Sequence, residues 1–182
     1  MSARLARRWP GQILRTCPGL VRVAEFSELP PKYRRPITVY PWRRINPVPW
    51  VAMRRPLSEA RVALVTSAGL YRPGTDRDFG ARAGEDISVR FLPASVLLAD
   101  LAVGQTSDSF DRQAIERDRN MALPLDRLRE LVADGVIGAV APQHVSFNGA
   151  LPAPGRFMRD TAPRVAEALL KDAVDAVLFV PV

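Results

Sequence analysis

The sequence has very few of the residues that form disulfides and metal centres. Its 182 residues include one cysteine, Cys17, and one histidine, His144. A single cysteine excludes a disulfide within the chain, and one residue of each type excludes a Cys/His zinc cluster. No metal site is therefore predicted. The low cysteine content fits a cytoplasmic protein, which is our expectation.

Long apolar runs and common catalytic motifs are also missing. The longest stretch without Asp, Glu, Lys or Arg spans residues 135–155, and it contains three prolines and several polar residues. That composition excludes a membrane-spanning helix. The chain has no GxGxxG, P-loop, CxxC or HExxH motif, so nucleotide binding and metal-dependent hydrolysis are not indicated.

Lysine is scarce, and the positive charge is concentrated near the N-terminus. Residues 1–61 carry 13 Arg and Lys against three acidic residues, whereas residues 62–182 carry 13 against 16. Only Lys32 and Lys171 are lysines. The preference for arginine is explained by genome composition or by phosphate recognition.

Prolines divide the chain into an arm and a domain. They are so frequent over residues 30–56 that we predict an extended arm. We assign residues 1–55 to a basic arm rich in Pro and Arg, and 56–182 to part of an α/β domain. The arm interleaves aromatic and basic side chains: Tyr40, Trp42 and Trp50 with Arg34, Arg35, Arg43 and Arg44. These residues either stack on nucleic-acid bases or anchor the arm on its own domain or a partner.

The rest of the chain alternates between strand and helix patterns. Strands are predicted at 61–67, 86–93, 136–141 and 176–180, and helices at 123–135 and 160–173. The alternation in 86–93 indicates a half-exposed strand, and the apolar run 176–180 is typical of a strand buried on both faces. This order predicts an α/β fold with a mostly parallel sheet and right-handed βαβ crossovers.

Reactive groups of parallel sheets gather at the carboxyl ends of the strands. Ser67 and Gly69 follow the first strand, and we predict that their backbone N–H groups bind an anionic substrate. His144 follows the strand 136–141, so we expect it at the same edge, where it donates a proton to a leaving group. The alternative is a loop histidine hydrogen-bonded to backbone.

The polar segment 105–120 has the composition of a second candidate region. It includes Gln105 and three aspartates, Asp108, Asp111 and Asp118. Two interpretations remain open for it: a proton relay or metal site, and a surface segment whose carboxylates cap helices.

Several stretches resemble one family, the selenoprotein B subunits of the glycine, sarcosine, betaine and D-proline reductases. The matching pieces are "RPLSEARVALVTSAGL" (55–70), "RFLP" (90–93), "DRNMALPLDRLRELVADGVIGAVAPQHVSFNGALPAPG" (118–155) and "APRVAEALLKDAVDAVLFVPV" (162–182). The similarity covers about residues 49–182, and residues 1–48 resemble nothing that we identify. In this family a histidine often occupies the position of Gln105.

The resemblance implies an oxidoreductase subunit that cleaves the C–N bond of an amino acid or derivative, with a disulfide as acceptor. In the family, the phrase similar to "DAVLFVPV" is followed at once by selenocysteine, the nucleophile. We therefore expect a chain cut at its own active-site codon, inactive by itself, because Cys17 lies outside the matching region. The implied partners are other reductase subunits, one carrying a pyruvoyl group, and a small amino-acid-like substrate.

Two further expectations follow. The strand 176–180 lacks a covering helix after it, so its apolar face and edge should favour self-association. The other class of function left open is a basic binding module, in which the arginine-rich arm contacts nucleic acid or an acidic partner. We regard nucleic-acid binding as the weaker of the two.

Overall fold

A computed structural model describes residues 25–40, 44–80, 86–107 and 110–182. The chain divides into two compact units, with the boundary between Trp50 and Val51, whereas the sequence placed it between residues 55 and 56. No helix of the described residues combines the length and apolarity needed to cross a bilayer.

The first unit contains a helix, α1 (Pro31–Val39), preceded by a 3₁₀ turn at Phe26–Glu28. The prediction of an extended arm is therefore wrong for this segment. Pro31 occupies the first helical position, where no N–H is needed, and only Pro36 removes a backbone bond from inside the helix. Residues 44–56 form neither helix nor strand, as predicted.

The second unit contains the remaining helices and all the described strands. The strands are β1 (Arg61–Thr66), β2 (Leu70–Tyr71), β3 (Val89–Pro93), β4 (Ala102–Val103), β5 (Ala139–Val140), β6 (Gln143–Phe147) and β7 (Ala176–Val180). The helices are α2 (Arg112–Arg117), α3 (Leu125–Ala133) and α4 (Ala162–Lys171), with a π-helical turn at Phe157–Thr161 and 3₁₀ turns at Leu57–Glu59, Leu98–Asp100 and Arg119–Met121.

The main sheet is built around β1, which is paired on both sides. Strand β7 runs parallel to it from Val62↔Ala176 to Thr66↔Val180. On the opposite side, β5 pairs with the start of β1 and β6 with its end, both in parallel. The short β2 and β4 form a separate antiparallel pair. The α/β class and the mostly parallel sheet are thus confirmed.

Two strand predictions need correction. Strand β3 pairs with β6 in antiparallel orientation, so the sheet is mixed. Of the predicted strand 136–141, only Ala139–Val140 forms a strand, which is β5. A second strand, β6, follows at Gln143–Phe147, where a loop was expected. Pro142, which has no N–H to donate, separates the two.

The helices begin and end close to their predicted positions. Asp126 lies in the first turn of α3, where a negative charge is favourable. The left-handed Gly135 (φ +70°) follows that helix, as its sequence pattern indicated. In α4, Pro163 lies in the first turn, as predicted.

The sheet has an apolar cluster on each side. We call the side of Leu64, Leu92, Leu125 and Leu128 the α3 face, and all four of these side chains are buried. The α4 face is the side where Val65 and Val145 meet residues of helix α4. Both clusters hold residues of β1, because successive side chains of a strand point to opposite faces.

Burial departs from the predicted pattern at three places. Arg90, expected on an exposed face of β3, is buried, because its guanidinium stacks over Phe79 and donates to the carbonyls of Arg77 and Asp78. Leu170 of α4, which the helical spacing of apolar residues puts on the buried side with Val165 and Leu169, is exposed. Strand β7 was expected to be buried on both faces, yet its side chains Leu178 and Phe179 are exposed, since no described element covers them.

Candidate active site at the carboxyl edge of the sheet

The carboxyl ends of three parallel strands meet at one edge of the sheet. Strand β1 leads into Ser67, β6 into Asn148, and β7 into Pro181 and Val182. The segment Gln105–Thr106 lies against the same place, because Gln105 bonds to Ser67. We call these residues the carboxyl-edge cluster.

Ser67 is the residue through which the cluster is connected. Its N–H donates to the carbonyl of Val180 (3.2 Å). Its hydroxyl accepts from the N–H of Val182 (3.0 Å) and donates to the Val182 carbonyl oxygen (3.2 Å). One side chain thus holds both backbone groups of Val182.

Two buried amide side chains tie neighbouring loops to this point. Gln105 donates from Nε2 to the carbonyl of Ser67 (2.9 Å), and its Oε1 accepts from the N–H of Thr106. Asn148 donates from Nδ2 to the hydroxyl of Thr106 (2.9 Å) and accepts from the N–H of Ala150. Both amides are almost completely buried, and their bonded polar atoms compensate for the loss of water.

Gly69 is buried in a tight approach between two loops. Its φ of +66° is in the left-handed region, and a Cβ there would lie 2.9 Å from the backbone nitrogen of Gln105. Its N–H donates to the carbonyl of Phe147, and its carbonyl accepts from Gly104. Only glycine satisfies both requirements without strain.

The N–H groups that were predicted to bind substrate are all used within the chain. Those of Ser67 and Gly69 bond to carbonyls, Ala68 donates to Thr66 Oγ1, and Leu70 donates to the hydroxyl of Ser146. Substrate binding by Ser67 and Gly69 stays a prediction. This geometry directs their N–H groups into the fold.

His144 lies inside the sheet, and its predicted position at the carboxyl edge is wrong. It belongs to β6, is fully buried, and accepts through Nδ1 from the N–H of Leu64 (3.1 Å). Pro142 separates β5 from β6. Beside this break, Nδ1 of His144 accepts the hydrogen bond from Leu64 of β1. The alternative of a histidine bonded to backbone matches this contact, although the residue is in a strand.

The imidazole of His144 is held neutral. Burial, with a smaller contribution from the positive charge of Arg129, lowers its pKa to about 4 from the usual 6.5. Because Nδ1 accepts a hydrogen bond, the proton of the neutral ring is on Nε2, which has no partner within the described chain. Proton donation by this residue remains untested, and nothing described connects it to the carboxyl edge.

An apolar groove opens on the α4 face beside the same edge. It has a volume of about 450 Å³. Phe147 and Phe157 contact each other there, with ring centroids 4.8 Å apart, and Phe179 and Leu170 complete its wall.

The polar segment after Gln105 is structural where it is described. Asp111 caps α2 by accepting from the N–H of Ala114, and Asp118 accepts from the N–H of Asn120. These contacts confirm the interpretation that carboxylates here cap helices. Asp108 lies outside the described residues. No cluster of three or more His, Cys, Asp or Glu side chains suited to a metal occurs in the described chain.

The basic arm is described only in part. Tyr40 and Trp50 are exposed, Arg34 donates to the carbonyl of Ser27, and Arg44 is exposed. Arg35 is also exposed. Trp42, Arg43 and Cys17 lie outside the described residues, so the predictions for them have no structural counterpart.

Sequence reasoning missed several buried polar residues. Thr66, Ser146 and Asn148 are buried and bonded. Each stands in or next to a strand with an apolar neighbour, which in the sequence looks like ordinary alternation. Asn148 followed by Gly149 was a usable turn signal at the end of β6.

The comparisons with known proteins decide the family. The family described as glycine/sarcosine/betaine reductase selenoprotein B matches residues 32–181. The chain belongs to this family. The match begins at residue 32, so the earlier expectation that residues 1–48 resemble nothing is wrong for the last part of that range.

Curated relatives carry related names. The chain is 34% identical over 136 residues to D-proline reductase subunit gamma of Acetoanaerobium sticklandii, covering 74% of this chain and 54% of the relative. It is 28% identical to the sarcosine reductase complex component B subunit beta of Peptoclostridium acidaminophilum, covering 78% and 32%.

A third relative is the glycine reductase complex component B subunit gamma of Symbiobacterium thermophilum, 29% identical, covering 78% of this chain and 33% of the relative. The chain thus spans about half the length of the first relative and about a third of the other two. The comparison with solved structures gave no match.

Proposed function

We propose that this chain is part of a subunit of a selenol- or thiol-dependent reductase that cleaves the C–N bond of an amino acid or derivative. The substrate class is of the glycine, betaine, sarcosine or D-proline type. Membership of the selenoprotein B family supports this proposal, because the curated relatives are named as subunits of reductases for D-proline, sarcosine and glycine.

We propose that the nucleophile of this reaction lies next to Val182. The convergence of β1, β6 and β7, with the end of β7 held by Ser67, supports this proposal. A selenol in such a position is ionised at neutral pH, whereas an ordinary cysteine with a pKa of about 8.5 is mostly protonated. Cys17 is the single thiol of these 182 residues, so we propose that the chain alone does not turn over.

The proposed chemistry transfers the substrate from nitrogen to selenium or sulfur. The anionic chalcogen attacks the substrate carbon, a carbon–chalcogen bond forms, and the nitrogen keeps the electron pair of the broken C–N bond and takes up a proton. It leaves as a free amine from glycine, sarcosine or betaine, and stays attached when the ring of D-proline opens. The sulfur of a neighbouring thiol then bonds to the chalcogen, the carbon–chalcogen bond breaks, and the carbon leaves with its electron pair and takes up a proton to give the reduced product. The sulfur–chalcogen bridge that remains is reduced by a dithiol. A pyruvoyl group on a partner subunit would activate the substrate.

Partners and location belong to the same proposal. The relatives are named as subunits, two of them of complexes, and we propose that this chain likewise assembles with other reductase subunits. A cytoplasmic location, expected from the cysteine content, is proposed with it.

The codon that follows Val182 provides the first test. We expect UGA there, followed by an in-frame segment that contains cysteine. The test protein is the reading frame extended through that codon, with selenocysteine or cysteine at the position, and assembled with its partner subunits. When a dithiol is present, it should release amine from glycine, sarcosine or betaine, or open the ring of D-proline to a chain that ends in a primary amine.

The matched control carries serine at the same position and should neither release amine nor open the D-proline ring. Equal activity of the serine variant, turnover by the 182-residue chain alone, or noncoding sequence after Val182 would each contradict the proposal.

A further inference from the structure

We propose that Ser67 is a positioning residue of this site. Its hydroxyl fixes the backbone of Val182, and therefore the direction in which the chain, and any nucleophile attached to it, leaves the edge of the sheet. This inference rests on the proposed function for its catalytic meaning. The structural part concerns the contact between Ser67 and Val182 alone.

The contact uses most of the bonding capacity of the hydroxyl. A serine hydroxyl has one proton to donate and two lone pairs to accept with. The proton goes to the carbonyl oxygen of Val182 and one lone pair to its N–H. Pro181 has no N–H, so the first backbone donor after Val180 is the one that Ser67 binds.

Ser67 is itself held in place from the opposite side. Its carbonyl accepts from the N–H of Gly149 and from Nε2 of Gln105, each at 2.9 Å. A Cβ on Gly149 would lie 2.8 Å from the Cβ of Ser67, so the two loops are in contact without spare room. Gln105 is 4% exposed, and its amide is fixed at both ends. The hydroxyl therefore projects from a rigid base.

This geometry separates positioning from substrate binding. A serine that contacts substrate keeps its hydroxyl proton for the ligand, whereas that of Ser67 is donated to its own chain. Removing the hydroxyl should therefore disturb the orientation of the nucleophile relative to the substrate carbon and lower kcat. It should leave the affinity for substrate, and so KM, largely unchanged.

The contact is tested first in the 182-residue chain, by amide hydrogen exchange followed by NMR. In Ser67→Ala the exchange of the Val182 amide should rise about tenfold, because its acceptor is gone. Ser67→Thr, which restores a hydroxyl, should return exchange to near the wild-type rate. Ser95→Ala, at an exposed serine in a turn, is the matched control and should change nothing.

Unchanged exchange of the Val182 amide in Ser67→Ala would overturn the proposal. So would an equal increase across the amides of β1 and β7, because that would indicate general loosening of the sheet.

The catalytic part is tested in the extended, assembled reductase. Ser67→Ala should lower kcat at least tenfold with KM within about twofold of wild type, and Ser67→Thr should recover most of the rate. A raised KM with unchanged kcat would mean that Ser67 contacts substrate, and it would overturn the positioning role.

The activity assay tests the proposed reaction, whereas the amide exchange of Val182 tests the contact with Ser67, so the two proposals can fail independently. If no variant, including wild type, releases amine from glycine, sarcosine or betaine or opens the ring of D-proline, the proposed reaction is wrong. The amide exchange of Val182 still decides whether Ser67 holds the end of β7.

Discussion

The centre and one edge of the sheet are covered to different degrees. Leu64 and Val65 of β1 are buried on opposite faces, whereas their pairing partners in β7, Leu178 and Phe179, are exposed. On the α3 face, Leu64 and Leu92 are fully buried. On the α4 face, Phe179 is 69% exposed and Leu170 is 74% exposed, and an apolar groove lies between them. The comparison teaches that strand periodicity assigns a side chain to a face, whereas burial depends on what lies over that face.

The largest expected effect tests this difference with matched truncations. Leu64→Ala should lower the free energy of unfolding by about 2–5 kcal/mol, because it leaves a cavity in a closed cluster. Phe179→Ala removes more atoms but should cost less than about 1 kcal/mol, since most of that ring already contacts water. Urea denaturation of both variants measures the two values.

Equal losses in these two variants would break the comparison. They would mean that Phe179 is covered in solution, for example by another copy of the chain.

The second prediction concerns the buried imidazole on the α3 face. The folded-state pKa of His144, about 4, is below its unfolded value of 6.5. The unfolded state therefore binds the proton first, and stability should fall as the pH falls from about 6.5 to about 4. The expected loss is on the order of 3 kcal/mol, followed by chemical denaturation at each pH.

His144→Asn is the control for this titration. Its side-chain oxygen can accept from the Leu64 N–H as Nδ1 does, but it does not titrate. Because His144 is the single histidine of the chain, the difference in pH dependence between wild type and variant isolates its contribution. Parallel curves over that pH range would show that the imidazole is not buried.

The smallest expected effect on stability is at the open face. Phe179→Asp should change the free energy of unfolding by less than about 1 kcal/mol. It should nevertheless reduce self-association, because it puts a charge on an edge strand that pairs on one side among the described strands. Sedimentation velocity over a range of concentrations measures the association.

Ser95→Asp adds the same charge at an exposed turn away from the groove and should leave self-association as in wild type. If wild type sediments as a compact monomer at every concentration, the open face does not drive association.

Much of the fold could be predicted from local pattern. The strands β1 and β7 and the helices α3 and α4 were all found, because their apolar spacing and flanking Pro and Gly residues act within one element. The helix α1 was missed, since prolines in its first turns suggested a break that the backbone did not require. The strand β6 was missed because Pro142 and polar residues made it look like a loop.

The candidate site was predicted less well than the fold. The predicted order of the strands put Ser67 and Val182 at the carboxyl edge of the sheet. The position of His144 was predicted wrongly, because the sequence did not reveal β6, the strand in which His144 lies. Gln105 and Asn148 each bond to a residue about 40 positions away, and no local pattern reports such pairs.

The sequence by itself determined the class of fold, the parallel order of β1, β5 and β7, and the resemblance to a reductase family, because these depend on spacing and on contiguous residues. The tertiary structure alone decided that the imidazole of His144 is buried in the core, that Ser67 holds Val182, and that Leu178 and Phe179 of β7 stay exposed. The physical reason is that burial and hydrogen bonding are properties of pairs distant in the chain, which only the packed sheet brings together.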